Sequence, residues 1–137
     1  MLTPKILVVD DDNDYLESIS SILEANGYEV LTADNGEDGF EKAVTEHPQL
    51  IIIDLLMNTV NEGYDFCLKA GYDKRVGEIP LLMISSVRKN EAFKDGDFTP
   101  DKFFFPIDAF LDKPVDKETL LKQVSSLLSY RENFNRK

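Results

Sequence analysis

Chemistry in this chain is concentrated at the ends of four apolar runs. Ile6-Leu7-Val8-Val9 leads into Asp10-Asp11-Asp12, and Leu50-Ile51-Ile52-Ile53 leads into Asp54. Leu81-Leu82-Met83-Ile84 leads into Ser85-Ser86, and Ala109-Phe110-Leu111 leads into Asp112-Lys113-Pro114. Short β-branched and aliphatic runs of this kind read as strands buried on both faces, as in a parallel sheet. Ligands of open α/β sheets bind beyond the carboxyl ends of the strands. A lone aspartate there would read as a turn or a helix cap. With the first and third strands side by side, Asp10, Asp11 and Asp54 converge on one rim. Carboxylates crowded in this way repel, and protonation or a bound cation relieves the repulsion. Oxygen donors suit a hard divalent cation, Mg²⁺ or Mn²⁺. Lys113 and Ser85 on the same rim suit a phosphoryl group, by charge and by hydrogen bonding. A carboxylate can itself act as nucleophile and carry an acyl phosphate.

The elements between these runs must position them. Tyr15, Leu16, Ile19, Ile22 and Leu23 recur at three- and four-residue steps, which predicts a helix from about Asp14 to Asn26, capped by Asp12 or Asn13. A strand over Tyr28 to Ala33 and a helix over Gly36 to Glu46 follow, the latter stopped by His47-Pro48. The third strand, Leu50 to Asp54, leads through a loop, Leu55 to Glu62, to a helix over Gly63 to Ala70, ended by Gly71. Leu120, Leu121, Val124, Leu127 and Leu128 predict a last helix over Lys117 to Tyr130, with Arg131 to Lys137 as a polar, fraying tail. Strands alternating with helices predict a single α/β domain over residues 1–137, with its core at 5–130. Right-handed crossovers favour a doubly wound, flavodoxin-like sheet of five parallel strands in the order 2-1-3-4-5, helices on both faces. That order puts the first and third strands at the switch point, so topology and charge select the same place.

Composition bounds the function. The net charge of −11 argues against direct nucleic-acid binding, which needs a basic patch. No apolar stretch is long enough to span a membrane and the start has no secretory pattern, so a cytoplasmic protein is expected. Cys67 alone cannot form an intrachain disulfide and reads as a core residue. His47 reads as a surface residue at a helix end. The chain offers neither a thiolate and imidazole cluster for zinc nor a P-loop for nucleotide hydrolysis.

At this point the chain resembles the receiver domain of two-component response regulators, similar to the chemotaxis response regulator, over about residues 5 to 130. The acidic pair Asp10-Asp11, the acceptor position Asp54, the hydroxyl Ser85 and the Lys113-Pro114 pair stand in the family's order. The resemblance implies that Asp54 is phosphorylated by a sensor histidine kinase or phosphotransfer protein of a phosphorelay, and that the domain is a phosphoacceptor rather than a turnover enzyme. It implies that Asp11 ligates Mg²⁺, Asp10 directly or through water, with Asp54 and the Leu56 backbone carbonyl completing the set. Lys113 would pair with Asp54 and then with the phosphate, Ser85 would move to the phosphate, and Phe110 would be the aromatic switch residue. Phe110 is expected outward at rest and inward in the phosphorylated form. Lys113-Pro114 would be cis, and Asp12 would only cap a helix. The downstream partner is unspecified, and dimerisation through the face of the family's fourth helix, fifth strand and fifth helix is implied as an option.

The chain departs from the family in three places. The loop Met57 to Gly63 lacks the usual proline, and Leu56 and Val87 are apolar where many members are polar, which suggests slow loss of the phosphoryl group. Ser85 and Lys113 have 27 residues between them, more than one helix and one strand require. The expectation is a short helix displaced to Thr99–Phe105, a mobile stretch over Val87 to Phe98, and at least one exposed ring among Phe103, Phe104 and Phe105, with patching of the core by these rings as the alternative. Two other functions compete. A phosphatase of the haloacid dehalogenase type would need a second aspartate where Leu56 stands. A receiver-fold binding module would signal without phosphorylation.

Overall fold

Apolar runs too short for helices, separated by amphipathic ones, pair into a sheet with helices on both sides. The computed structural model describes residues 3–54, 60–85 and 107–135. In chain order these form β1 (Lys5–Val9), α1 (Asn13–Ala25), β2 (Glu29–Ala33), α2 (Gly36–Glu46), β3 (Leu50–Ile53), α3 (Val60–Tyr72), β4 (Leu81–Ser85), β5 (Ala109–Asp112) and α4 (Lys117–Asn135). All strand pairs are parallel and the order is β2-β1-β3-β4-β5, as the doubly wound reading requires.

The period of two along each strand divides the core. Leu7, Val9, Ile51, Ile53 and Met83 face α2 and α3, where they meet Phe40, Ala43, Phe66, Cys67 and Ala70. Ile6, Val8, Leu50, Ile52, Leu82 and Ile84 face α1 and α4, against Leu16, Ile19, Leu23, Leu120 and Val124. Cys67 is buried in the first layer, and burial pushes its thiol up to about 12, so it is an inert packing group.

Local signals set the helix ends. The Asp12 carboxylate accepts from the backbone N–H groups of Asp14 and Tyr15 and starts α1. His47 ends α2 in the left-handed region, exposed to solvent. Two helices exceed their expected bounds. α3 begins at Val60 rather than Gly63, because Glu62 accepts from the Gly36 backbone N–H at 2.9 Å and ties its own first turn to the start of α2. It also runs through Gly71, and the chain reverses only where Val76 and Gly77 donate to the Asp73 carbonyl. α4 continues to Asn135, so residues 131–135 of the segment expected to fray are helical; nothing after Pro114 is a glycine or proline that would stop the helix. The residues expected to carry the displaced helix and exposed Phe rings, 86–106, lie outside the described residues.

The sheet and α2 approach closely at Gly39. A Cβ there would sit 2.8 Å from Val9 Cγ2 and 3.3 Å from Phe66 Cε2. Overpacking costs about 1–3 kcal/mol, against about 1 kcal/mol gained in helix propensity, and the short Val9 side chain is fixed in the sheet. Gly39→Ala is therefore expected to lower stability by about 1 kcal/mol. In urea denaturation this lowers the midpoint with an unchanged slope; an equal or higher midpoint would contradict the packing.

Candidate functional site

Backbone pairing puts the acidic residues together. Val9 of β1 is in register with Ile53 of β3, so the next residue of each strand reaches the rim at the same height. Asp54 N–H donates to the Val9 carbonyl and Asp10 N–H to the Ala33 carbonyl, both at 3.1 Å. The rim therefore continues the sheet and does not depend on a loose loop. Asp10 and Asp54 are only 2% and 5% exposed, an unusual condition for carboxylates.

Lys113 answers these charges. It follows β5 directly, and its Nζ donates to Asp10 Oδ2 at 2.8 Å and to Asp54 Oδ2 at 3.0 Å. The other oxygen of Asp10 accepts from the Asp12 backbone N–H at 3.0 Å, which fixes the plane of that carboxylate. Burial pushes the Asp10 pKa up; the hydrogen bonds from Lys113 and Asp12 oppose this, and the Asp54 charge adds to it. Burial would lower the Lys113 pKa, but Asp10 and Asp54 outweigh it and hold the ammonium above its ordinary value. The Lys113-Pro114 peptide is cis.

One ligand oxygen from each of Asp10, Asp11 and Asp54 lies within 4.8 Å of the others. Oxygens in an octahedral Mg²⁺ shell at about 2.1 Å lie about 3 Å apart when adjacent and about 4.2 Å apart when opposite, so this set would draw in, or bind partly through water, to hold the ion. All donors are oxygen, the chemistry that Mg²⁺ and Mn²⁺ prefer. With both oxygens of Asp10 already engaged, Asp11 is the carboxylate most open to a cation.

The other candidates fall as follows. Ser85 is the last residue of β4, in register with Asp112. Phe110 is in register with Met83 and half-buried against the α2 and α3 side of the core. It therefore stands two residues short of the position level with Ser85. Leu56 and Val87 lie outside the described residues. Tyr15, read from the sequence only as part of the buried stripe of α1, has its ring 4.0 Å from Lys113 Nζ. Periodicity marks it only as part of the buried face of α1, so the sequence carries no signal of this contact. Among the described residues its buried hydroxyl has no hydrogen-bond partner. Burial pushes its pKa up to about 12, with Asp10 and Asp54 adding and Lys113 opposing, so it stays protonated.

A doubly wound sheet with an acidic, lysine-bridged rim at its switch point belongs to the α/β domains that bind ligands beyond their strand ends. The response regulator receiver domain matches residues 6–125, and the chain belongs to that family, the receiver domains of two-component signal transduction. It is 31% identical to protein PilH of Pseudomonas aeruginosa over 91% of this chain and 98% of that protein. It is 34% identical to the DNA-binding dual master transcriptional regulator RpaA of Synechocystis over 91% of this chain, which spans only 49% of RpaA. The crystal structure of a CheY-like receiver domain protein from Methanospirillum hungatei superposes with a TM-score of 0.80 at 28% identity, covering 96% of this chain and 98% of that one. Among the described residues no helix is long and apolar enough to cross a membrane.

Proposed function

We propose that this domain accepts a phosphoryl group on Asp54 and that the modification switches a protein-binding surface. The observation that carries the reading is the Lys113 ammonium bridging two buried carboxylates at the switch point. An Asp54 oxygen attacks phosphorus, the bond from phosphorus to the donor nitrogen or oxygen breaks, and the donor leaves with the electron pair. Lys113, already 3.0 Å from Asp54, then faces the new phosphoryl oxygens. Asp10, Asp11 and Asp54, with the Leu56 carbonyl, would hold Mg²⁺ or Mn²⁺, which when bound offsets charge on the transferring group. Ser85 would hydrogen-bond the phosphate, and Phe110 would follow on the neighbouring strand. A histidine kinase or phosphotransfer protein is the donor. Output passes through protein contacts in the cytoplasm, with β5 and α4 as part of the contact or dimer face. The domain undergoes one modification per cycle and is not a turnover enzyme.

Metal dependence tests this reading. Mg²⁺ at a hundredfold excess over its dissociation constant stabilises a protein that binds it by about 2.7 kcal/mol. The parent is expected to melt at higher temperature with Mg²⁺ and to take up phosphate from acetyl phosphate only with the metal. Asp11→Ala is expected to lose both responses while remaining folded. Equal labelling in a chelator, or unchanged metal responses in Asp11→Ala, would overturn the assignment.

A further inference from the structure

Lysine carries a compact charge on a flexible four-carbon stem, so a bridging lysine needs something to fix its direction. Two sides of the Lys113 ammonium face Asp10 and Asp54, at 2.8 and 3.0 Å. The third is covered by the Tyr15 ring, 4.0 Å from Nζ. We infer that Tyr15 is the positioning residue for Lys113, holding the ammonium toward the Asp54 oxygens by a cation–π contact; its role in phosphoryl uptake rests on the function proposed above.

Chemistry at this place favours an aromatic ring. A further close carboxylate would add to the repulsion, and an aliphatic side chain would offer the ammonium no attraction on that side. The ring's negative face attracts the cation without carrying a net charge. It also outlasts the modification. When Asp54 becomes an acyl phosphate its carboxylate is lost as a partner, and Asp10 and Tyr15 remain to hold the lysine beside the phosphoryl oxygens. Tyr15 also touches the α1 and α4 side of the core, and among the described residues its buried hydroxyl has no hydrogen-bond partner, so the contact to Lys113 is made by the ring. The ring does the positioning, so Tyr15→Phe is expected to preserve it.

Two measurements on the full chain test this. In NMR relaxation without phosphodonor, the Lys113 ε-methylene of the parent and Tyr15→Phe is expected to have a high order parameter. In Tyr15→Leu, or Tyr15→Met should the leucine variant fold poorly, that order parameter is expected to fall. With acetyl phosphate and Mg²⁺, the maximal labelling rate is expected to fall about 3- to 30-fold in Tyr15→Leu and to stay near the parent rate in Tyr15→Phe, the range an ordered cation–π contact spans. The donor concentration giving half-maximal rate should change little. A parent-like Lys113 order parameter or a parent-like maximal rate in Tyr15→Leu would overturn the inference. Should the parent take up no phosphate at all, the proposed function fails, while the Lys113 order parameter still decides whether Tyr15 holds the lysine.

Discussion

Asp54→Asn is expected to abolish phosphoryl uptake from acetyl phosphate while leaving the domain folded. An amide oxygen can still accept from Lys113, which stands 3.0 Å from the Asp54 carboxylate, so the local geometry has little reason to change. Its nucleophilicity is lost, because the amide oxygen cannot form the acyl phosphate. The substitution also removes one of three crowded carboxylates, so the melting temperature should equal or exceed the parent's. Residual labelling at the parent rate would place the acceptor elsewhere. A collapsed melting transition would mean that Asp54 is structural.

Lys113→Met is expected to produce the largest loss of stability at the site. Methionine preserves most of the packing volume but leaves Asp10 and Asp54 buried without the ammonium they share. Removing one partner of a buried ion pair costs about 3 kcal/mol or more, since the remaining charges lose the cation that offset their burial. The loss has a definite pH dependence. Asp10 already has a pKa raised above 3.8 by burial, and losing Lys113 raises it further. The folded state then binds the proton more tightly than the unfolded chain, so the deficit shrinks as pH falls through the folded-state value toward 3.8 and grows as pH rises through it. In the parent, the contribution of Lys113 has its own window. It is fully present below 10.5 and is lost as pH rises through the higher folded-state pKa. Guanidinium denaturation at neutral and acidic pH, with and without Mg²⁺, measures these effects. The metal is expected to recover part of the loss by replacing the missing positive charge. Parent-like stability at neutral pH without metal would show that the rim carboxylates are not ionised together.

The sheet was legible because its signals are local and redundant. Each of Ile6–Val9, Leu50–Ile53 and Leu81–Ile84 is apolar without a break, and only strands covered on both faces tolerate that. Strand order then follows from crossover handedness, and the rim follows from strand order. Asp10, Asp11, Asp54 and Lys113 could be brought together on paper because each stands directly behind such a run. Helix ends were harder to read. Glu62 looked like loop until its bond to Gly36, 26 residues away in sequence, made it the first turn of α3. Gly71 looked like a stop, but a glycine in a packed helix lowers propensity without ending it. The sequence shows Tyr15 only as a member of the α1 stripe. Periodicity identifies the core face of a helix but cannot say that one ring on it overhangs a lysine 98 residues later. That contact depends on the join between α1, the rim and β5, which only the assembled sheet defines.

Uptake of phosphate on one named carboxylate is tested by peptide mapping in mass spectrometry after brief incubation of the parent chain with acetyl phosphate and Mg²⁺. A single phosphoryl group is expected, present only with the metal and located on Asp54. Phosphate on a different residue, or none under conditions where Mg²⁺ binds, would contradict it.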